Sequence, residues 1–198
     1  VNSPKVAILV SGSGSNAASL LDFWSDGPVH AVGIWTNRKS AGIWNRPLNV
    51  PVYHFVPGDD DEKLLDAWRA EGVTALVLAG YLRQVPAAWI QAFGPRCYNI
   101  HPALLPAYGG HGMYGHHIHE AVVAAGEAES GLSIHRVTER YDEGPVLFQM
   151  RTAIHPGDTA EQVAARILKG EHWAYPRVVT ADLLGLPLPT DLPEGWSM

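Results

Sequence analysis

The chain has 198 residues, 46% of them hydrophobic and 17% charged, enough apolar material for one large buried core. A net charge of −6 argues against non-specific binding to nucleic acid or to an anionic membrane, yet a few local donors still suffice to hold one phosphate. The single cysteine, Cys97, excludes an intramolecular disulfide and reads as a small buried strand residue. No apolar run is long enough to span a membrane, and the N-terminus lacks the pattern of a secretory signal, so the expectation is a cytoplasmic protein.

Short apolar runs rich in β-branched residues alternate with helical stretches along the chain. Lys5–Val10 (KVAILV) predicts a buried strand and Ser15–Trp24 a helix. His30–Trp35 predicts a second strand, and Val50–His54 a short third one. Asp59–Glu71 has helical spacing at Leu64, Leu65 and Trp68, with acids early and an arginine late, as the helix dipole favours. Thr74–Ala79 predicts another buried strand, Trp89–Phe93 a short helix, and Arg96–Ile100 a strand running into a loop that starts at His101. A helix over Gly115–Ala125, a strand over Gly131–Val137, a loop over Thr138–Gly144 and a strand over Pro145–Ala153 follow. Thr159–Leu184 predicts one last long helix, and the tail after Gly185, with Pro187, Pro189 and Pro193, reads as irregular.

Continuous apolar strands alternating with helices imply a mostly parallel sheet covered on both faces, with ligands at the carboxyl ends of its strands. Three chemically rich segments fall there: Ser11–Asn16, Asn99–Pro106 and Thr138–Gly144. The first reads SGSGSN between a strand and a helix, where glycine lets the backbone turn tightly and helix-start N–H groups suit an anion. Extended to Ala17 it also fits a dinucleotide pattern, but the second strand ends Trp35-Thr36-Asn37-Arg38 without the acid such a cofactor wants, which favours a monophosphate.

Asn99 and His101 lie two apart on an extended chain and so share a face, and Pro102 keeps His101 out of helix. An amide donor beside an imidazole suits acyl transfer: the donor meets charge developing on the acyl oxygen, and the ring moves the proton an attacking amine must lose. Asp142, in the turn Tyr141-Asp142-Glu143-Gly144-Pro145, is either a turn aspartate bonding its own backbone or a carboxylate that keeps His101 protonated or correctly oriented. His116 and His119 share a helix face in a His-rich stretch, but no third ligand or recognised spacing accompanies them, so no metal is expected.

Together the stretches SGSGSN (11–16), VLAGYLR (77–83), NIHPALLP (99–106), SIHRVTERYDEGPV (133–146) and EHWAYP (171–176), in this order, resemble the glycinamide ribonucleotide formyltransferase family over nearly the whole chain. The resemblance implies an α/β, three-layer Rossmann-like fold with a mostly parallel seven-stranded sheet and helices on both faces; with the proline-rich end, the expected organisation is a domain 1–185 and an irregular tail 186–198. It implies transfer of a formyl group from 10-formyltetrahydrofolate, as co-substrate, to the amine of glycinamide ribonucleotide, in purine biosynthesis. The implied catalytic trio is Asn99, His101 and Asp142, with His135 in support. Ser13, Gly14, Ser15 and Asn16 take the substrate phosphate and Glu171 the ribose; Leu82, Arg83, Val85, Thr138 and Tyr141 lie against the folate. The partners implied are small molecules, with neither nucleic acid nor membrane. The stretch 108–119 is longer and richer in Gly and His than in many members of the family. Hydrolysis of 10-formyltetrahydrofolate by the same trio, formyl transfer to methionyl-tRNA, and a non-catalytic nucleotide-binding module are the rival readings. The acidic balance and short tail disfavour the tRNA substrate.

Overall fold

A computed structural model describes residues 3–198. The chain divides into two compact units, Val1–Asn99 and Ile100–Met198. Seven strands form one sheet in the order β3-β2-β1-β4-β5-β6-β7. They are β1 (Lys5–Val10), β2 (His30–Thr36), β3 (Val52–His54), β4 (Ala75–Leu78), β5 (Cys97–His101), β6 (Glu129–Arg136) and β7 (Val146–Ala153). The pairs β1/β2, β1/β4, β2/β3 and β4/β5 are parallel, whereas β6 and β7 are antiparallel. The expected mostly parallel α/β architecture is thus present, with β6 and β7 antiparallel to each other at one end of the sheet.

In the first unit, Val6, Ala7, Ile8, Leu9 and Val10 are all fully buried, as a parallel strand covered on both faces must be. Helices α1 (Ser15–Trp24), α2 (Asp61–Glu71) and α3 (Ala87–Phe93) bury Leu20 and Trp24, Leu65 and Trp68, and Trp89 and Phe93 respectively. Trp68 is the hub of an aromatic cluster, edge-on to Trp35, Trp89 and Phe93 with centroids 4.7–6.2 Å away. Cys97 belongs to this core, and burial pushes its thiol up to about 12, which makes it inert as a nucleophile. A 3₁₀ turn over Gly42–Asn45, absent from the expectations above, follows β2.

In the second unit, α5 (Ala160–Leu184) starts at a capping box in which the Thr159 side chain and Gln162 satisfy each other's backbone N–H groups. Its buried face presents Val163, Ile167, Ala174, Tyr175, Val178 and Val179. Arg136, at the end of β6, grips Asp182 of this helix through two 2.7 Å hydrogen bonds. Helix α4 (His116–Ala124) packs Ile118 and Val122 on Ala103, with Tyr108, Met113 and Ile154 around them. The tail beyond α5 has no helix or strand, but it is more ordered than its prolines suggest. A Pro193–Trp196 turn with Gly195 at φ 83° brings Ser197 into a reciprocal backbone pair with Arg151. No helix among the described residues is long and apolar enough to cross a membrane.

Candidate active site

His101 closes β5 rather than opening the loop after it, and only 4% of its surface is exposed. The strand therefore fixes its backbone, and the following segment fixes its ring. Nε2 lies 2.7 Å from the carbonyl oxygen of Tyr108. A carbonyl only accepts, so the proton sits on Nε2 and the lone pair on Nδ1. Nδ1 lies 3.5 Å from Asp142 Oδ2, too far for a good hydrogen bond but close enough for strong electrostatic coupling. Burial pulls the His101 imidazole below its ordinary value, and the Asp142 charge and the Tyr108 carbonyl oppose that pull without overcoming it. With its proton on Nε2 the neutral ring has no donor for Asp142, which acts on it as a nearby negative charge rather than as a hydrogen-bond partner.

Asp142 serves a second ring as well. His135, in β6 and 2% exposed, has Nε2 3.4 Å from Asp142 Oδ1, and its Nδ1 lies 2.9 Å from the Arg136 carbonyl. The Gly110 N–H donates to Asp142 Oδ2 at 3.0 Å. Burial alone would raise the Asp142 carboxyl, but His135, His101 and the Gly110 N–H outweigh it and hold the group below the usual aspartate value. One ionised carboxylate therefore sits between two buried imidazoles whose other nitrogens are engaged by main-chain carbonyls.

Backbone strain concentrates here. Tyr108 and Asp142, at φ 56° and 55°, are the two non-glycine residues with positive φ among those described. Aspartate tolerates that conformation better than most side chains. Gly109 makes room for the approach: a Cβ there would strike Leu105 and come within 3.3 Å of the Asp142 Cβ. Beneath it, Ser133 Oγ donates to the Ala103 carbonyl at 2.7 Å and accepts from Leu105 N–H at 3.0 Å and Gln149 Nε2 at 2.8 Å. This buried knot fastens the segment after β5 onto β6.

Of the residues singled out from sequence, His101, His135 and Asp142 are brought into contact. Asn99 lies half-buried two residues before His101 on β5. Glu171 is buried in α5. Thr138 Oγ1 accepts from the Arg140 N–H at 3.4 Å, a local turn, and the Tyr141 ring meets His111 edge-on at 5.7 Å. In the first unit, Gly14 (φ 69°) caps α1 without a side-chain capping hydrogen bond, and Ser13, Ser15 and Asn16 flank it. Leu82 donates its N–H to Ser11 Oγ at 3.0 Å; Arg83 is exposed and Val85 buried. Sequence reasoning did not single out Tyr108, Gly110, Ser133 or Gln149. Tyr108 and Gly110 act through main-chain atoms, and the Gly-Gly step at 109–110 was the one available signal. Among the described residues no three His, Cys, Asp or Glu side chains gather as a metal site.

Comparison with known proteins gives the same direction. A model of the formyl transferase family matches residues 4–179. The chain is 42% identical, over 89% of its length, to phosphoribosylglycinamide formyltransferase, chloroplastic, of Arabidopsis thaliana, and 29% identical, over 88% of its length and 85% of the relative's, to phosphoribosylglycinamide formyltransferase of Escherichia coli. It spans 64% of the Arabidopsis protein and 61% of a similar one from Vigna unguiculata, and so less than two thirds of either. Among solved structures, glycinamide ribonucleotide transformylase 1 of Symbiobacterium toebii superimposes with a TM-score of 0.83 at 30% identity, covering 96% of this chain and 92% of the other. With a family model matched over most of its length, and a fold shared with solved members, the chain belongs to the formyl transferase family.

Proposed function

We propose that this chain moves a formyl group from 10-formyltetrahydrofolate to the amine of glycinamide ribonucleotide, a step of purine biosynthesis, and that residues 1–185 carry the activity with 186–198 as a tail. The observation that carries this reading is the Asp142 carboxylate between two buried imidazoles, 3.5 Å from His101 and 3.4 Å from His135. The names of its relatives point the same way.

The chemistry follows from the charges. The amine lone pair attacks the formyl carbon, an N–C bond forms, and the carbonyl electrons move onto oxygen. Asn99 donates its amide N–H to that oxygen, and one such donor is worth about 10²–10³ in rate. Neutral His101 receives at Nδ1 the proton that the amine nitrogen loses. The imidazolium so formed gains the Asp142 carboxylate as a close counter-charge, so the cost of burying the charge is offset when the oxyanion develops. The proton then passes to the folate nitrogen as its bond to the formyl carbon breaks, and His101 returns to neutral. His135 holds Asp142 in place from the other side.

In this reading Ser13, Gly14, Ser15 and Asn16 take the phosphate, Glu171 the ribose, and Leu82, Arg83, Val85, Thr138 and Tyr141 the folate. Both ligands are small molecules, and a cytoplasmic setting accords with the lone, inert thiol of Cys97. The test is the absorbance change of 10-formyltetrahydrofolate with and without glycinamide ribonucleotide. Consumption only with the amine is expected. Consumption without it assigns hydrolysis instead, and none in either case, from folded protein, refutes the reading in favour of a binding module.

A further inference from the structure

The glycine loop of the first unit is held from one side by a segment that no sequence motif singled out. The 3₁₀ turn Gly42–Asn45 and the next residue, Arg46, lie against it at four points. The Ile43 N–H donates to the Gly12 carbonyl at 3.1 Å. The Arg46 Nε–H donates to the Ser13 carbonyl. A Cβ on Gly14 would overlap the Ile43 side chain, and one on Gly42 would stand 3.1 Å from Ser13 Cα. At the entry to the loop, Ser11 Oγ donates to Asn37 Oδ1 at 2.7 Å and accepts from the Leu82 N–H at 3.0 Å.

Two consecutive carbonyls, those of Gly12 and Ser13, are therefore drawn toward this segment. In a planar trans peptide the N–H of the next residue points opposite to the carbonyl. Fixing Gly12 C=O turns the Ser13 N–H away from the 3₁₀ turn, and fixing Ser13 C=O does the same for the Gly14 N–H. Gly14 itself is left-handed (φ 69°, ψ 27°), the conformation that lets successive N–H groups converge on an anion. The Arg46 bond holds the Ser13 carbonyl, so its loss removes a direct restraint on the orientation of the Ser13–Gly14 peptide and its donor.

We propose that Arg46 is a positioning residue for the substrate phosphate: its guanidinium locks the Ser13–Gly14 peptide so that the loop's N–H groups face the ligand, and its charge adds to the field there. This rests on the reading that the glycine loop takes the phosphate of the ribonucleotide. The Arg46→Ala and Arg46→Lys variants test it, with glycinamide ribonucleotide, its dephosphorylated riboside and inorganic phosphate as probes, and circular dichroism to verify folding. In Arg46→Ala, KM for the ribonucleotide rises about 10-fold to 100-fold, the size of losing a hydrogen bond made by a charged group, and phosphate inhibition weakens in step. The loss lies in KM rather than kcat, and kcat/KM for the riboside matches that of the unaltered protein. Arg46→Lys, which keeps the charge but not the planar fork, falls between, and it carries the test if the alanine variant does not fold. An unchanged KM for the ribonucleotide, or an equal loss on the riboside, overturns the role of Arg46. An unaltered protein that uses riboside and ribonucleotide equally well overturns the phosphate-loop reading itself, before any variant is made.

Discussion

His119 gives the fold an acid sensitivity of calculable size. It sits on the inner face of α4, 6% exposed, and its Nδ1 has no hydrogen-bond partner among the described residues. Burial, reinforced by the neighbouring His116 and His101, pulls its pKa from 6.5 to about 4. A base whose folded pKa is depressed is neutral in the native state, while the unfolded chain takes up the proton earlier. Between pH 6.5 and about 4 the unfolded state therefore binds one more proton at this ring, and stability falls with falling pH by about 1.4 kcal/mol per unit. Across the whole window the loss is at most about 3 kcal/mol, because solvent reaching the ring screens part of the shift, and even half of that is a sizeable share of the 5–15 kcal/mol typical of a domain. Above pH 6.5 the ring contributes no pH dependence. In His119→Leu this component vanishes. Urea unfolding at pH 7, 6, 5 and 4.5 at constant ionic strength measures it: relative to the unaltered protein, the variant should gain stability steadily as the pH falls. The contributions of His101 and Asp142 are common to both proteins and largely cancel in the comparison. Parallel curves would refute the reasoning.

Two glycines lead to further expectations. Gly170 of α5 lies flush against the Trp196 indole, so a Cβ there would collide with the ring. Gly170→Ala should cost about 1–3 kcal/mol by overpacking, and Trp196→Ala in the same chain should recover part of that loss, read by denaturant unfolding. Gly144 lets the chain pass against the Arg136 carbonyl, the group that His135 Nδ1 meets. Gly144→Ala should therefore displace the Asp142 turn and lower kcat by at least about tenfold, with circular dichroism little changed; full activity would argue that the turn tolerates the shift.

Local pattern sufficed for the regular elements, because burial and periodicity are written in neighbouring residues. Lys5–Val10 and Ser15–Trp24 have the ends expected of them, and α5 starts one residue after Thr159 because that residue is its cap. The strand expected over Arg96–Ile100 instead runs Cys97–His101, so His101 ends a strand rather than opening a loop. The 3₁₀ turn at Gly42 was missed: four residues (GIWN) are too few to show a period, and its purpose lies in contacts with a loop some thirty positions earlier. The site divides in the same way. Residue types marked Asn99, His101 and Asp142 as candidates, but the meeting of residues 101 and 142 depends on tertiary closure, which spacing does not encode. The carbonyl of Tyr108 and the N–H of Gly110 are main-chain groups that every residue possesses, so composition is silent about them. That a single carboxylate serves both His101 and His135 appears only when β5 and β6 are seen with the turn after β6.

The central claim is that the imidazole at 101 and the carboxylate at 142 act as one unit on the transferred formyl group. Formyl transfer to glycinamide ribonucleotide by His101→Ala, Asp142→Asn and the double variant tests it, since asparagine keeps the turn while removing the charge. Each single change should lower kcat/KM by about 10²–10⁴, and the double variant should be about as slow as His101→Ala alone. Losses that multiply in the double variant would contradict the account.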